Sequence, residues 1–162
     1  MKRQVLSFQT RKMIKGRSDT SSLGYQKARC VGVIVNNDHK WEGLSSFLLE
    51  LERDHDELHT IYFNKSVENA LTGKPSFFPT DFGFFGQINS DMITKFTSPA
   101  FDYVFILDKE PSLFIDCVAV KANSKTNIGF YYENGNDIAD LQIKPDHGRE
   151  LDDMLRYAKQ LS

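Results

Sequence analysis

Short apolar segments alternate with amphipathic segments along most of the chain. Residues 30–35 (CVGVIV) form a nearly continuous apolar run rich in β-branched side chains, which is typical of a strand buried on both faces. Leu44, Phe47, Leu48 and Leu51 follow at helical spacing and predict an amphipathic helix directly after this strand. The first part of the pattern therefore predicts a βα unit.

The same alternation continues towards the carboxyl terminus. It predicts further strands at residues 60–63, 103–107, 127–132 and 138–143, and further helices at residues 91–96, from 112 to about 122, and from 146 onward. This favours a three-layer, Rossmann-like α/β domain with a mainly parallel sheet of about five strands and helices on both faces. The dipeptide Asn134-Gly135 is typical of a tight turn and favours an antiparallel edge for the fifth strand.

The composition is that of one globular domain. The 162 residues are 40% apolar and 26% charged, and no apolar run approaches the roughly 18–20 residues that cross a bilayer. The basic amino terminus lacks the apolar segment of a signal peptide, so we expect a cytoplasmic location. Cys30 and Cys117 lie in apolar stretches, which favours buried free thiols over a disulfide or a zinc site. No cofactor and no metal are expected.

The charge is distributed unevenly along the chain. Residues 1–29 carry eight basic residues and one acidic residue, whereas residues 30–162 carry 12 basic and 21 acidic residues. We therefore predict a basic arm with a linker at 1–29 and a single α/β domain at 30–162. Arg11, Lys12 and Lys15 are the arm's candidate contacts to a membrane surface or RNA, and an arm that packs on its own domain is the favoured alternative.

Polar loops follow three of the predicted strands. Ligands of parallel sheets bind beyond the carboxyl ends of the strands, so we examine residues 36–39, 64–66 and 108–112. The candidate ligand-binding residues in these loops are Asn36, Asn37, Lys109 and Ser112. Asp38 and Asp108 are the acid–base candidates that an enzyme at this edge would use. The alternative is that these side chains only cap helices and turns.

Familiar catalytic motifs are absent from the sequence. No glycine-rich phosphate loop follows a strand, which disfavours the common nucleotide-binding enzymes, and no GxSxG nucleophile turn is present. His55 and His59 have the spacing of a zinc peptidase, but Asp56 occupies the position where that motif has glutamate. We interpret this stretch as a solvated turn.

One loop, residues 75–86, is unusually rich in phenylalanine. Its rings are Phe77, Phe78, Phe82, Phe84 and Phe85. Exposed aromatic patches mark interaction surfaces, so these residues are candidates for binding a protein partner or a second copy of the chain. The alternative, which we favour, is that the rings are buried as a satellite of the core.

Two resemblances extend this interpretation. GYQKARCVGVIVNN, FxxxDFGFFG, FDYVFILDKEPSLFIDCVAVKANSKTNIGF and IADLQIKPD together resemble a family of small Bacteroidota proteins of unknown function over nearly the whole chain. FDYVFILD, a Ser-led helix and NIGF are similar to part of the amino-terminal domain of lipopolysaccharide heptosyltransferases. The second resemblance implies an acid/base role for Asp38, although those enzymes carry a Gly-Asp pair where this chain has Asn36-Asn37-Asp38.

Three functional hypotheses follow. The leading one is a non-catalytic α/β domain that binds a protein partner or a small ligand. The second is a transferase-like enzyme that acts on a sugar or nucleotide. The third is a module that attaches to membrane or RNA through the basic arm.

Overall fold

A six-stranded parallel sheet forms the centre of the computed structural model, which describes residues 23–133, 138–144 and 148–161. The strands are β1 (Cys30–Asn36), β2 (Glu57–Phe63), β3 (Ser76–Phe77), β4 (Ala100–Leu107), β5 (Asn123–Phe130) and β6 (Leu141–Ile143). The α-helices in these residues are α1 (Leu44–Asp54), α2 (Asp91–Thr97), α3 (Leu113–Lys121) and α4 (Glu150–Lys159). None of them has the length and apolar character needed to cross a membrane.

Helices cover both faces of the sheet. Successive side chains of a strand point to opposite faces, so Val33 lies in one buried cluster and Ile34 in the other. Leu51 of α1 packs in the first cluster together with residues of α4, and Ile93 of α2 packs in the second together with residues of α3. The predicted α/β fold, with a buried sheet between helical layers, is confirmed.

The order of the strands creates a crevice near the middle of the sheet. The order is β3-β2-β1-β4-β5-β6, which is the order of the Rossmann fold. The chain builds outward from β1 to β3 and then returns to place β4 on the other side of β1. The loops that follow β1 and β4 therefore diverge, and ligands of such sheets bind at this switch point.

Two details of the predicted sheet are wrong. The sheet has six strands rather than about five, because the two-residue strand β3 is too short to show a hydrophobic pattern. The last strand runs parallel to β5, with Ile128 opposite Leu141 and Phe130 opposite Ile143, and is not an antiparallel edge. The dipeptide Asn134-Gly135 lies outside the described residues.

The parallel orientation of β6 has a visible structural basis. Ile138 is buried in the second cluster, and the Asp140 N–H donates to the Asn127 carbonyl at 2.8 Å, so the chain returns across β5 before β6 begins. It crosses at Gly129, where an added Cβ would lie only 3.1 Å from the Cβ of Ala139. The missing side chain of Gly129 thus makes room for a close crossing.

The segment before β1 packs onto the domain. The Tyr25 ring is 1% exposed, and its hydroxyl donates to Asp54 Oδ2 at 2.9 Å. Tyr25 and Ala28 belong to the first cluster, although both precede residue 30, where we predicted that the domain starts. Arg11, Lys12 and Lys15 of the predicted arm lie outside the described residues.

Candidate functional site

The switch point brings the ends of β1 and β4 together. Val35 lies opposite Leu107 in the parallel register, and the residues that follow them approach each other. Asn36 Nδ2 donates to Asp108 Oδ1 at 2.9 Å, and the two residues are 3% and 2% exposed. A ligand-binding candidate and an acid–base candidate of the sequence are therefore joined by a buried hydrogen bond.

Asp108 is the centre of a small polar network. Two further groups contact the oxygen that accepts from Asn36. The Glu110 N–H donates to Asp108 Oδ1 at 3.3 Å, and His39 Nε2 lies 2.9 Å from the same oxygen. Burial raises the pKa of the Asp108 carboxyl, and the contacts with Asn36, Glu110 and His39 oppose that shift because they favour the ionised form. The carboxyl group is thus held in place by several partners while it is largely removed from water.

A cleft opens beside Asn36 at the carboxyl ends of β1, β2 and β4. Its volume is about 410 Å³, within the range of small-molecule sites. The lining residues are Asn36, Phe63, Lys65, Pro79, Glu110, Pro111, Ser112, Leu113 and Phe114. The cleft therefore lies where the strand order predicts a ligand site.

The cleft combines an apolar wall with a few polar groups. The rings of Phe63 and Phe114 stack with their centroids 5.9 Å apart and an interplanar angle of 19°. Ser112 caps α3 by accepting the Ile115 N–H at 3.5 Å, so the amino end of this helix borders the cleft. A helix amino terminus attracts anionic groups, and the two charged residues of the lining are Lys65, which is positive, and Glu110, which is negative.

The opposite flank of the switch point is filled by Trp41. Its Nε1 donates to the Asn36 carbonyl at 2.9 Å, and its ring stacks on Phe130 with centroids 5.9 Å apart. Lys109 Nζ lies 4.9 Å from the centre of the Trp41 ring and donates to the Lys40 carbonyl at 2.8 Å. Lys109 therefore belongs to this flank and does not line the cleft.

Asn37 and Asp38 connect two loops of the site. Asn37 Nδ2 donates to Asn64 Oδ1 at 2.7 Å, and Asp38 Oδ2 accepts the Lys65 N–H at 2.9 Å. Both side chains hold the loop after β1 against the loop after β2, and neither lines the cleft. Of the predicted ligand-binding residues, Asn36 and Ser112 line the cleft, whereas Asn37 and Lys109 do not.

Several residues of the cleft were not predicted individually. Lys65 and Glu110 lie in loops that we examined, but Phe63, Pro79 and Phe114 were not considered as site residues. Phe63 is the last residue of β2, and its position at a carboxyl end is the signal that points to it. An apolar pattern cannot distinguish a ring of the cleft wall from a ring of the core.

The phenylalanine-rich segment is divided between core and surface. Phe77 and Phe82 are 0% and 2% exposed and pack in the second cluster, as the favoured alternative expects, so these two rings are not the partner-binding surface that we considered. Phe78 is half-buried. Phe84 and Phe85 are 53% and 70% exposed, and their rings meet edge to face at 5.2 Å.

A second cavity, between β4, β5 and β6, is much smaller. Its volume is about 20 Å³, and Ile106, Gly129 and Ile138 are among its lining residues. This volume suffices for about one water molecule. The cavity is therefore too small for a metabolite.

Comparison with known proteins places the chain in a family without assigning an activity. Neither the curated proteins nor the solved structures include a significant match. Residues 2–160 match a family model that names no function. The chain therefore belongs to the family described as a family of unknown function (DUF6913).

Proposed function

We propose that this protein is a small-ligand-binding α/β domain and that the cleft beside Asn36 is its ligand site. The observation that supports the proposal is the cleft of about 410 Å³ at the switch point between β1 and β4. Parallel sheets of this order bind ligands at that point. The mixture of an apolar wall with a few polar groups is also typical of ligand pockets.

The lining favours a ligand that has a ring and an anionic group. The ring would lie against the wall that contains Phe63 and Phe114, and the anionic group would lie near Ser112 and Lys65. A dinucleotide fits less well, because the loop after β1 carries Asn37 and Asp38, which hold that loop in place, where dinucleotide-binding proteins have glycines. A mononucleotide or an aromatic carboxylate suits the cleft better.

A thermal-shift screen tests this proposal. The full chain is heated with nucleosides, nucleoside monophosphates, sugar phosphates and aromatic carboxylates. A ligand that binds only the folded state at about 100 times its Kd adds about 2.7 kcal/mol to the free energy of unfolding. We expect stabilisation by compounds that have both a ring and an anionic group, and a weaker effect of the matching neutral compounds.

Two lysine variants locate the binding site. Lys65→Ala removes a charged group that lines the cleft, and we expect the Kd of the ligand to rise about tenfold or more, since a hydrogen bond to a charged group contributes about 1.5–3 kcal/mol. Lys109→Ala removes an exposed lysine of the Trp41 flank and serves as the matched control. Equal loss in both variants, or no stabilising ligand in any class, would contradict a site in the cleft.

An enzyme that acts on a sugar or nucleotide is the second candidate, and the pair of His39 and Asp108 favours it. A carboxylate at 2.9 Å orients an imidazole ring, as in acid–base catalysis. The resemblance of the segment from β4 to β5 to heptosyltransferases adds to this candidate.

Incubation with sugar nucleotides, followed by NMR, measures turnover. We expect His39→Gln to abolish turnover and to retain ligand binding. Absence of turnover by the unaltered chain argues against an enzyme.

The other hypotheses stay predictions. Phe84 and Phe85 offer the exposed aromatic surface that a protein partner would contact. Attachment of the basic arm to membrane or RNA concerns residues that the structure does not describe. A cytoplasmic location and a Bacteroidota origin also stay predictions.

A further inference from the structure

Three potential metal ligands meet at the opposite edge of the sheet, where β1 and β2 begin. Cys30 of β1 lies opposite Glu57 of β2 in the parallel register. His59 follows Glu57 by two residues, so it points to the same face of the strand. Cys30 is thereby brought next to two residues that lie 27 and 29 positions later in the sequence.

The distances between the ligand atoms suit a small cation. His59 Nε2 lies 3.2 Å from Glu57 Oε2, Cys30 Sγ lies 3.8 Å from the same oxygen, and all three atoms lie within 4.8 Å of one another. Metal–ligand bonds of about 2.0–2.3 Å in a tetrahedral arrangement place neighbouring ligand atoms about 3.3–3.8 Å apart. Small rotations of the side chains are therefore sufficient to bind an ion.

The scaffold around the cluster is well held. Asp102 Oδ2 accepts the Arg29 and Cys30 N–H groups at 2.8 and 3.2 Å, which fixes the start of β1. The His59 ring packs edge to face on Phe101, with centroids 5.7 Å apart. The backbone at Cys30 and the ring of His59 are therefore held by contacts outside the cluster.

The same edge is accessible and negatively charged. The side chains of His59 and Glu57 are 38% and 64% exposed, which leaves a path for an ion and room for a water ligand. The Glu57 carboxylate supplies a negative charge beside the Cys30 thiol, with Glu57 Oε2 3.8 Å from Cys30 Sγ. This charge favours the approach of a divalent cation.

We propose that Cys30, Glu57 and His59 bind a zinc ion, with water as the fourth ligand. Thiolate, imidazole and carboxylate are the ligands that zinc takes in proteins, and three protein ligands with one water are typical of an open zinc site. The Cys30 thiol loses its proton to solvent as the bond between sulfur and zinc forms. No metal was expected from the sequence, in which Cys30 is far from Glu57 and His59.

Cobalt(II) is the probe for this site. The full chain, with its thiols reduced, is titrated with cobalt(II) and followed by absorption spectroscopy. We expect a charge-transfer band from thiolate to cobalt together with the intense visible bands of tetrahedral coordination, and we expect zinc to displace cobalt and remove both. A protein that shows neither band overturns the proposal.

Single variants assign the ligands. Cys30→Ser should lose the charge-transfer band, and His59→Gln and Glu57→Gln should weaken cobalt binding by at least about tenfold, a loss that even a supporting partner of a metal site can cause. Glu57 is mostly exposed, so Glu57→Gln should fold normally. Circular dichroism verifies the fold of each variant.

The second cysteine provides the matched control. Cys117 lies buried in α3, outside the Cys30–Glu57–His59 cluster, so Cys117→Ala should retain the band and the affinity. If the band persists in Cys30→Ser or disappears in Cys117→Ala, the proposed ligand set is wrong.

Discussion

Strand β4 has a buried aspartate at each end, and their environments shift the two carboxyl groups in opposite directions. Asp102 lies near the start of the strand and Asp108 directly follows its end. The pKa of Asp102 is lowered, whereas the pKa of Asp108 is raised. Two aspartates, one near the start of β4 and one directly after its end, thus have pKa shifts of opposite direction, and Asp108 is the more deeply buried of the two.

The partners and the depth of burial together explain the difference. Burial disfavours ionisation at both positions, but Asp102 pairs with Lys125 Nζ at 2.8 Å and also accepts the Arg29 and Cys30 N–H groups, which together outweigh burial. Asp108 has the neutral donors Asn36 and Glu110 N–H and the imidazole of His39, and these do not outweigh burial. Lighter burial and a full positive charge therefore lower the pKa of Asp102, whereas deeper burial that the hydrogen bonds of Asp108 do not offset raises its pKa.

The two edges of the sheet also differ in how closely their side chains are packed. At the amino edge, polar side chains fix the start of β1 and form the compact cluster of Cys30, Glu57 and His59. At the carboxyl edge, the chain diverges and leaves a cleft with aromatic walls. The lesson is that the carboxyl edge provides volume and the amino edge provides closely spaced ligand atoms.

The largest expected effect concerns the aromatic support of the carboxyl edge. Phe82 packs against Phe114 with ring centroids 5.1 Å apart, and Phe114 lines the cleft. We expect Phe82→Ala to lower the free energy of unfolding by about 3–5 kcal/mol, because it leaves a cavity in the core. Phe84→Ala, at an exposed ring, should change it by no more than about 0.5 kcal/mol. Urea unfolding measures both, and equal losses would show that the segment is not divided between core and surface.

The next effect concerns the amino edge. Asp102→Asn removes the charge that pairs with Lys125, and we expect a loss of about 1.5–3 kcal/mol at neutral pH. The pKa of Asp102 is lower in the folded chain than in the unfolded chain. This stabilisation is therefore present when the pH is above the pKa of Asp102 in the unfolded chain, and it is lost as the pH falls through the pKa of Asp102 in the folded chain. Unfolding curves of both proteins should therefore converge in acid. A difference that does not depend on pH would contradict the role of the charge.

The smallest expected effect, that of Asp108→Asn, tests the contrast between the two aspartates most specifically. Asp108→Asn should change stability by only about 1 kcal/mol at neutral pH, because the amide retains an acceptor oxygen. The raised folded-state pKa of Asp108 means that the folded chain takes up a proton first, so the original protein should gain stability relative to the variant as the pH falls through that pKa. This gain in stability is complete when the pH is below the pKa of Asp108 in the unfolded chain. The pH slope is thus opposite to that of the Asp102 pair, and slopes of the same sign would refute the contrast.

The sequence predicts the parts of the fold that depend on local pattern. Strands β1 and β4 were predicted because strands buried on both faces appear as continuous apolar runs. The direction of β6 was not predicted correctly. Asn134-Gly135 is a local turn signal that the sequence shows, whereas the close approach of Ala139 to Gly129 is a tertiary feature that the sequence does not show. Pairing partners far apart in sequence are not visible in a hydrophobic pattern.

The same limit applies to the candidate sites. Asn36 and Ser112 were predicted because polar residues after strands of a parallel sheet lie at the ligand-binding edge. Phe63 and Phe114 were missed because an aromatic ring has the same pattern in a core and in a cleft wall. The cluster of Cys30, Glu57 and His59 depends on the register of β1 and β2, which the sequence does not reveal.

Amide NMR of the isotope-labelled chain tests the central claim most directly, namely that the carboxyl edge binds a small ligand. The best ligand of the thermal-shift screen is added in steps while the amide shifts are followed. We predict that the largest changes occur at Asn36, Lys65, Glu110 and residues 112–114, with none around Cys30 and Glu57. Changes concentrated at the amino edge, or spread evenly over the surface, would contradict the assignment of the cleft as the ligand site.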